Sequence, residues 1–287
     1  MTMTRLVSLP AWMCGLRRTS EPQADPVEVS HQRKVYENGF YRRFRRLRWL
    51  LRYDCRYRLL VMEELFSRHA VPFEHQKVYE LGFGTADLLL RFDTSCMIHG
   101  CEVSEEAIEQ LRHSVDLSAW RQAAFAAADE RGAPVFPTSD YDVVIASHVL
   151  EHVPDDANTL LRLAQHTRPG GWGLFFVPLE RPRRRHLHHA RTYSQAGFLR
   201  LCQRCGWQVV EVEQNMRFDS PQENLLITLE RRSSALAGLV EGSKNLAFSL
   251  VPSGFLRLFE DPLKRLVFFA RQLAVLARRP AADPGCR

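Results

Sequence analysis

An α/β fold, with strands and helices alternating through one principal domain, is what this sequence predicts. Three observations predict it. Short apolar runs of strand length recur through the middle of the chain, several of them closed by glycine or by an acid. Segments with apolar residues three and four positions apart lie between or beside them. The run Val78-Tyr79-Glu80-Leu81-Gly82-Phe83-Gly84-Thr85-Ala86 couples one such strand to a glycine turn, with a carboxylate just ahead of the glycines.

That run is the first element. Two glycines let a backbone approach a nucleotide closely, and the turn is expected to open a helix whose amino-terminal dipole lies nearby. A dinucleotide site adds a third Gly or Ala three positions on and must accept a pyrophosphate. Here Asp87 stands at that third position, and Glu80 and Asp87 together would repel a diphosphate. The carboxylates favour a cationic cofactor. Taken alone, a Gly-x-Gly after a strand is equally an ordinary strand-to-helix turn.

The second strand is Met97 to Glu102, followed by Ser104 as a helix cap and a helix from about Glu105 to His113. Glu102, with Val103 after it, stands about twenty residues beyond the glycines, where an acid accepts ribose hydroxyls. A solvated acid at a strand end is the plainer alternative. A third strand from about Ala123 to Ala128 runs into Asp129 and Glu130, placed for an adenine amino group. The fourth, Tyr141 to Ser147, leads into His148-Val149-Leu150-Glu151-His152-Val153-Pro154-Asp155.

Taken in order, the run Glu80-x-Gly82-x-Gly84, Glu102, Asp129, the block 142 to 155 and the turn Arg168-Pro169-Gly170-Gly171 resemble the successive motifs of class I S-adenosylmethionine-dependent methyltransferases. The similar branch is the small-molecule one, which includes ubiquinone-biosynthesis and sugar O-methyltransferases. The resemblance covers roughly residues 75 to 230. It implies a Rossmann-like sheet of seven strands, mostly parallel, with one antiparallel strand near the end. The remaining strands are then read at Trp172 to Val177, Trp207 to Val212 and Asn224 to Leu229, with a helix from about Gln195 to Cys205 joining the fifth and sixth.

The flanks differ in composition. Residues 1 to 70 hold 14 Lys and Arg against 7 acids, residues 71 to 230 hold 15 against 22, and the remainder holds 10 against 4, within a net charge of +6. Clusters such as Arg42 to Arg58 and Arg181 to Arg185 bind phosphate, carboxylate or nucleic acid, or simply form a solvated face. Residues 1 to 30 read as a disordered tail with Pro10, Pro22 and Pro26. Residues 31 to 74 read as a helical segment, which in the resembling enzymes lies over the cofactor as a lid; Tyr36, Tyr41 and Tyr53 are its candidate tyrosines. The core is expected at 75 to 231. From 232 to 287 a basic amphipathic helical extension is expected, with Leu263, Leu266, Val267, Phe269, Ala270, Leu273 and Leu276 on one stripe. That stripe would pack on the core, join a second subunit in a homodimer, or lie on an anionic membrane.

No apolar run reaches the roughly 18 residues that cross a bilayer, and the first twenty residues lack a secretory pattern, so a cytoplasmic enzyme is expected. Seven cysteines do not suggest a disulfide framework. Cys202 and Cys205 have redox spacing, but Phe198, Leu201, Cys202 and Cys205 fall on one apolar helix face, with Gly206 as the stop.

What the resemblance implies chemically is methyl transfer from S-adenosylmethionine, leaving S-adenosylhomocysteine, to a small-molecule acceptor. The expected cofactor residues are Glu80, Gly82, Gly84, Glu102, Val103, Asp129, Glu130 and Ser147. A hydroxyl acceptor needs a base, and histidine is poised for that near neutral pH. His152 matches the position of a catalytic histidine in related sugar O-methyltransferases; His148 and His189 are the other candidates, the latter in the group His186, His188 and His189. His148, Glu151 and His152 also fall where some ubiquinone-pathway enzymes hold a metal, but a histidine in place of the first glutamate is a poor match for magnesium, and no metal is expected. Nitrogen or carbon methylation, a peptide or lipid acceptor, and a non-methylating protein of the same fold are the alternatives. A nucleic-acid acceptor is disfavoured, because no Asn/Asp-Pro-Pro-aromatic signature follows the fourth strand.

Overall fold

The computed structural model describes residues 52–129, 133–179, 191–219, 240, 243, 246–265 and 269–281. Its strands are β1 (Lys77–Leu81), β2 (Met97–Glu102), β3 (Gln122–Ala127), β4 (Tyr141–Ser147), β5 (Thr167–Pro178), β6 (Gln208–Asn215) and β7 (Gln272–Arg278). Its helices are α1 (Tyr53–Arg68), α2 (Glu105–Ser114), α3 (Asp156–His166), α4 (Gln195–Arg204), α5 (Ser253–Leu258) and α6 (Glu260–Arg265). The strands form one sheet in the order β3-β2-β1-β4-β5-β7-β6. Neighbours from β3 to β5 pair in parallel, and β7 runs antiparallel to both β5 and β6.

Each face of the sheet has its own core. On one, Val78, Ile98, Val143, Ile145, Leu174 and Phe176 meet Tyr57, Val61 and Leu65 of α1, Ile108 and Leu111 of α2, and Leu256 of α5. On the other, Tyr79, Leu81, Val144, Ala146 and Phe175 meet Leu160 and Leu163 of α3 and Phe198 and Cys202 of α4. Strands covered on both faces carry near-continuous apolar runs, as β4 does over Val143 to Ala146.

Local signals set the helix ends as expected. Ser104 accepts from the Ala107 N–H at the start of α2, and Ser194 from the Gly197 N–H at the start of α4. Past α4, Gly206 takes the left-handed conformation at φ +85°, and Cys202 and Cys205 are buried as packing residues.

The glycine turn opens no α-helix. After it the chain makes only a 3-10 turn at Leu89–Arg91, since Phe92 is extended and the Asp93 carboxylate takes the Ser95 N–H, ending the helical path after one turn. The strand read at Trp172 to Val177 begins earlier, at Thr167, and takes in Arg168 to Gly171, where Gly170 has φ +77°.

The largest correction concerns the carboxyl-terminal segment. Leu273 and Leu276, expected on one helical stripe, lie on opposite faces of β7: Leu276 and Ala274 join the first core, and Leu273, Val275 and Ala277 the second. The sheet is therefore completed at 272 to 278, beyond the expected limit at 231, while among the described residues the extension is helical at Val240, Ser243 and Leu246 to Leu250 and in α5 and α6. The strand read at Asn224 to Leu229 lies outside the described residues, as do the tail at 1 to 30, the lid before Arg52, and Leu266 and Val267. Among the described residues no helix is long and apolar enough to cross a membrane.

One buried base makes stability depend on pH. His99 of β2 is fully buried, its Nδ1 lies 2.9 Å from the Tyr141 hydroxyl, and burial together with Lys77 lowers its pKa to about 4. The unfolded chain binds this proton below about pH 6.5 while the folded chain refuses it. Stability is therefore lost as pH falls from there to about 4, by about 3 kcal/mol from this one group. Urea unfolding at neutral and at acid pH should show wild type losing more than His99→Gln; equal losses would refute the assignment.

Candidate functional site

The strand order reverses between β1 and β4, and a parallel sheet collects ligands beyond the carboxyl ends of its strands at such a point. A cleft of about 220 Å³ opens there. It is walled by the ends of β1, β2 and β4, by the loop after β4, and by the start of α1.

The glycine turn forms its floor. Gly82 has φ +64° and Gly84 φ +52°, a region costly for residues with a Cβ. A Cβ on Gly82 would meet Val149 Cγ2 at 2.7 Å, so the loop after β4 rests directly on the turn. The Gly84 N–H donates to Glu102 Oε2 at 2.8 Å, and the Val103 N–H to Glu102 Oε1 at 2.8 Å. Glu102 thus ties the end of β2 to the turn after β1. Burial pushes its pKa up, against the backbone N–H groups of Gly84, Val103 and Ser104.

Glu80 is buried at the end of β1, and its Oε2 has no hydrogen-bond partner. Burial, then the nearby Asp87, drives its pKa well above the usual carboxylate value, although the Leu89 N–H opposes this. A buried carboxyl left half satisfied at the wall of a cleft is a receptor for a hydrogen-bonding cation.

The opposite charge comes from α1. Arg52 donates from Nε and Nη2 to Asp54 at 2.9 Å each, and Arg58 Nη2 donates to the same carboxylate at 3.1 Å. Burial would raise the Asp54 pKa, but the two guanidiniums, Arg52 foremost, hold it far below the usual range. Both arginines line the cleft wall. Between them, burial and Asp54 push the Cys55 thiol up to about 11, so it stays protonated at neutral pH.

The loop after β4 brings both histidines to the cleft without forming a helix. His148 has φ +52°, and its Nδ1 lies 3.2 Å from Glu151 Oε1. His152 Nε2 is 3.9 Å from that same oxygen. Burial would raise the pKa of Glu151, but the His148 hydrogen bond and the two imidazoles bring it below the usual value. From outside, the Tyr193 hydroxyl shares its one hydrogen between the Leu150 carbonyl at 3.0 Å and Asp156 Oδ2 at 2.9 Å, and Arg191 Nη2 donates to the Pro154 carbonyl at 2.5 Å. The segment after β5 thereby braces the loop.

Of the residues expected from sequence, Glu80, Gly82, Gly84, Glu102, Val103, Ser147, His148 and His152 all line this cleft. Asp129 does not. Its Oδ1 accepts the Ala133 N–H at 2.7 Å, closing a turn, and the wall there is Ala128. Glu130 and His189 lie outside the described residues. Among the described residues, no three His, Cys, Asp or Glu side chains are grouped to hold a metal ion. Sequence reasoning did not single out Arg52 and Arg58, which line the cleft; their signal was the arginine cluster up to Arg58, read as binding phosphate, carboxylate or nucleic acid or as a solvated face.

Comparison with known proteins bears on this geometry. Residues 79–172 match the family model described as a methyltransferase domain. Over 118 residues the chain is 30% identical to the ubiquinone biosynthesis O-methyltransferase of Thiobacillus denitrificans, covering 38% of this chain and 47% of that protein. The chain thus spans about half the length of this curated relative. Among solved structures, magnesium protoporphyrin IX methyltransferase from Synechocystis PCC 6803, with bound S-adenosylhomocysteine, aligns with a TM-score of 0.55 at 11% identity, over 87% of this chain and 99% of that one. The cyclase SpnF aligns with a TM-score of 0.53 at 16% identity, over 78% and 81%. Residues 79–172 thus match a methyltransferase domain, within a fold that the chain shares with these solved structures.

The Gly82 contact is testable. Gly82→Ala should destabilise the protein by about 1–2 kcal/mol from left-handed strain, plus the overlap with Val149. Denaturant unfolding of Gly82→Ala, Val149→Ala and the double variant should show the double more stable than the two single losses added together. Additive losses would mean that the two residues do not press on each other.

Proposed function

We propose that the protein is an S-adenosylmethionine-dependent methyltransferase acting on a small-molecule acceptor, with a hydroxyl oxygen as the methylated atom and His152 as general base. The observation that carries this reading is the buried Glu80 carboxyl with an unpartnered oxygen, in a cleft that Arg52 and Arg58 also line. That polarity suits an amino-acid end: Glu80 for the ammonium, the arginines for the carboxylate. A diphosphate would meet Glu80, Asp87 and Glu102 instead.

Other parts of the donor have candidate holders. Glu102, fixed by two backbone N–H groups, keeps lone pairs for ribose hydroxyls, and Gly82 and Gly84 allow close backbone approach. Val103, Ala128 and Ser147 border the same cavity. When bound, S-adenosylmethionine supplies an electrophilic methyl group on a sulfonium. The chain's own work is to hold donor and acceptor in line, exclude water, and receive the acceptor's proton. His152 is a cleft-wall imidazole near the Glu151 carboxylate, which would stabilise the ring once it takes that proton. A hydroxyl acceptor is also in keeping with the O-methyltransferase named above.

Titration calorimetry with S-adenosylhomocysteine tests the donor site. Wild type should bind, Glu102→Ala should weaken binding more than Glu106→Ala, and absence of heat with folded wild type would sink the reading. Binding should also release protons. Glu80 is protonated below its raised pKa and ionises against the incoming ammonium, so affinity should fall as pH drops through that raised value. Calorimetry in buffers of different ionisation enthalpy would measure the release. His152→Gln should lower kcat by about 10²–10⁴-fold while leaving S-adenosylhomocysteine affinity within a few fold; unchanged turnover would remove His152 as the base.

A further inference from the structure

We propose that His148 is a positioning residue whose Nε2 permanently carries hydrogen, because an amide relay from the carboxyl-terminal strand fixes it. The relay begins at an ion pair. Arg257 Nη1 and Nη2 donate to Glu213 Oε1 and Oε2 at 2.5 and 2.6 Å, so Glu213 is a carboxylate and can only accept. The Asn215 amide nitrogen lies 2.9 Å from Glu213 Oε1, so its oxygen must face the other way. That oxygen accepts from Gln272 Nε2 at 2.9 Å, which turns the Gln272 oxygen towards His148 Nε2 at 2.7 Å. An oxygen facing a ring nitrogen at that distance requires an N–H there.

Both amides are fully buried, so neither can exchange its partner for water. Flipping Asn215 sets its oxygen against the Glu213 carboxylate. Flipping Gln272 alone sets its oxygen against the Asn215 oxygen. Either change leaves two acceptors face to face in the protein interior.

On the other side of the ring, Nδ1 faces Glu151 Oε1, and Glu151 is held ionised by the neighbouring imidazoles despite its burial. That contact ties the ring to Glu151 on its own loop. The charged groups around the ring are Glu151 on its own loop, His152 beyond it, and Asp54 from α1. The ring's root is fixed too: the His148 N–H donates to the Phe176 carbonyl at 2.9 Å, and the backbone is left-handed. Both ring nitrogens are engaged by protein partners, Nε2 by Gln272 and Nδ1 by Glu151, which sets His148 apart from His152. His148 shapes the loop that carries His152 and anchors Glu151 beside it, and the β7 residue Gln272 sets its hydrogen. The role of positioning residue rests on the proposed methyl-transfer reading; the hydrogen assignment does not.

The test is a long-range ¹⁵N–¹H correlation spectrum of the full chain with ¹⁵N-labelled histidine rings, with His148 identified by the signals that His148→Asn removes. Asn tolerates the left-handed backbone at this position. In wild type near neutral pH, Nε2 of His148 should resonate as a protonated nitrogen; in Gln272→Met that signal should move towards a tautomeric average. An unprotonated Nε2 in folded wild type would overturn the proposal, as would a Gln272→Met spectrum identical to wild type. If Gln272→Met does not fold, the wild-type spectrum alone decides. S-adenosylhomocysteine titrated into the same sample separates the two readings. Absence of binding removes the methyltransferase reading and leaves the hydrogen assignment standing, whereas binding with an unprotonated Nε2 removes only the relay.

Discussion

Three buried glutamates on one edge of the sheet impose the constraint on which the site depends. Glu80, Glu102 and Glu151 stand at the ends of β1 and β2 and in the loop after β4, each almost without solvent contact. Burying a carboxylate is expensive, and the structure meets that cost differently each time. Glu102 is fed by backbone N–H groups of the glycine turn and its own strand end. Glu151 faces an imidazole with one oxygen and, like Glu80, leaves its Oε2 without a partner. Burial and the nearby Asp87 keep Glu80 protonated more readily. The left-handed turn at 82 to 86, the position of Val149, and the arginines on α1 are all arranged around these three groups.

Much of this edge was legible in the sequence, for a physical reason. β2 and β4 end in the polar residues Glu102 and Ser147, and β1 carries Glu80 one residue before its end, so the strand and its polar end can be read from the same few letters. Caps at Ser104 and Ser194 and the stop at Gly206 were equally local. Asp129 went the other way because an Asp beside a turn has a competing partner, here the Ala133 N–H, that no spacing rule reveals.

β7 was illegible for the opposite reason. A strand covered on both faces has no polar side to mark its period, so Leu273 to Ala277 fits a helical stripe as readily as a strand. The discriminating feature was five consecutive apolar residues between Gln272 and Arg278, with no polar position where a surface helix would turn outward. The misreading had a consequence for the site. Placing 272 to 278 in an outlying helix detached Gln272 from the sheet, and with it the partner of His148. Arg52 and Arg58 were lost for another reason: their pairing with Asp54 is local, two and four residues away, but which side of α1 borders the cleft is set by packing against the sheet.

The fold alone leaves the reaction open, since solved structures of the same architecture include one named as a cyclase and one as a methyltransferase. What separates the possibilities in this chain is the division of labour within the cleft. In the proposed reading, Glu80, Glu102 and the arginines answer the donor's charges and hydroxyls, and the His152 imidazole near the buried Glu151 carboxylate is left for the acceptor's proton. Glu151 is braced by His148 from within, and its loop by the Tyr193 and Arg191 contacts from outside, so the anion beside His152 is held in place before any acceptor arrives.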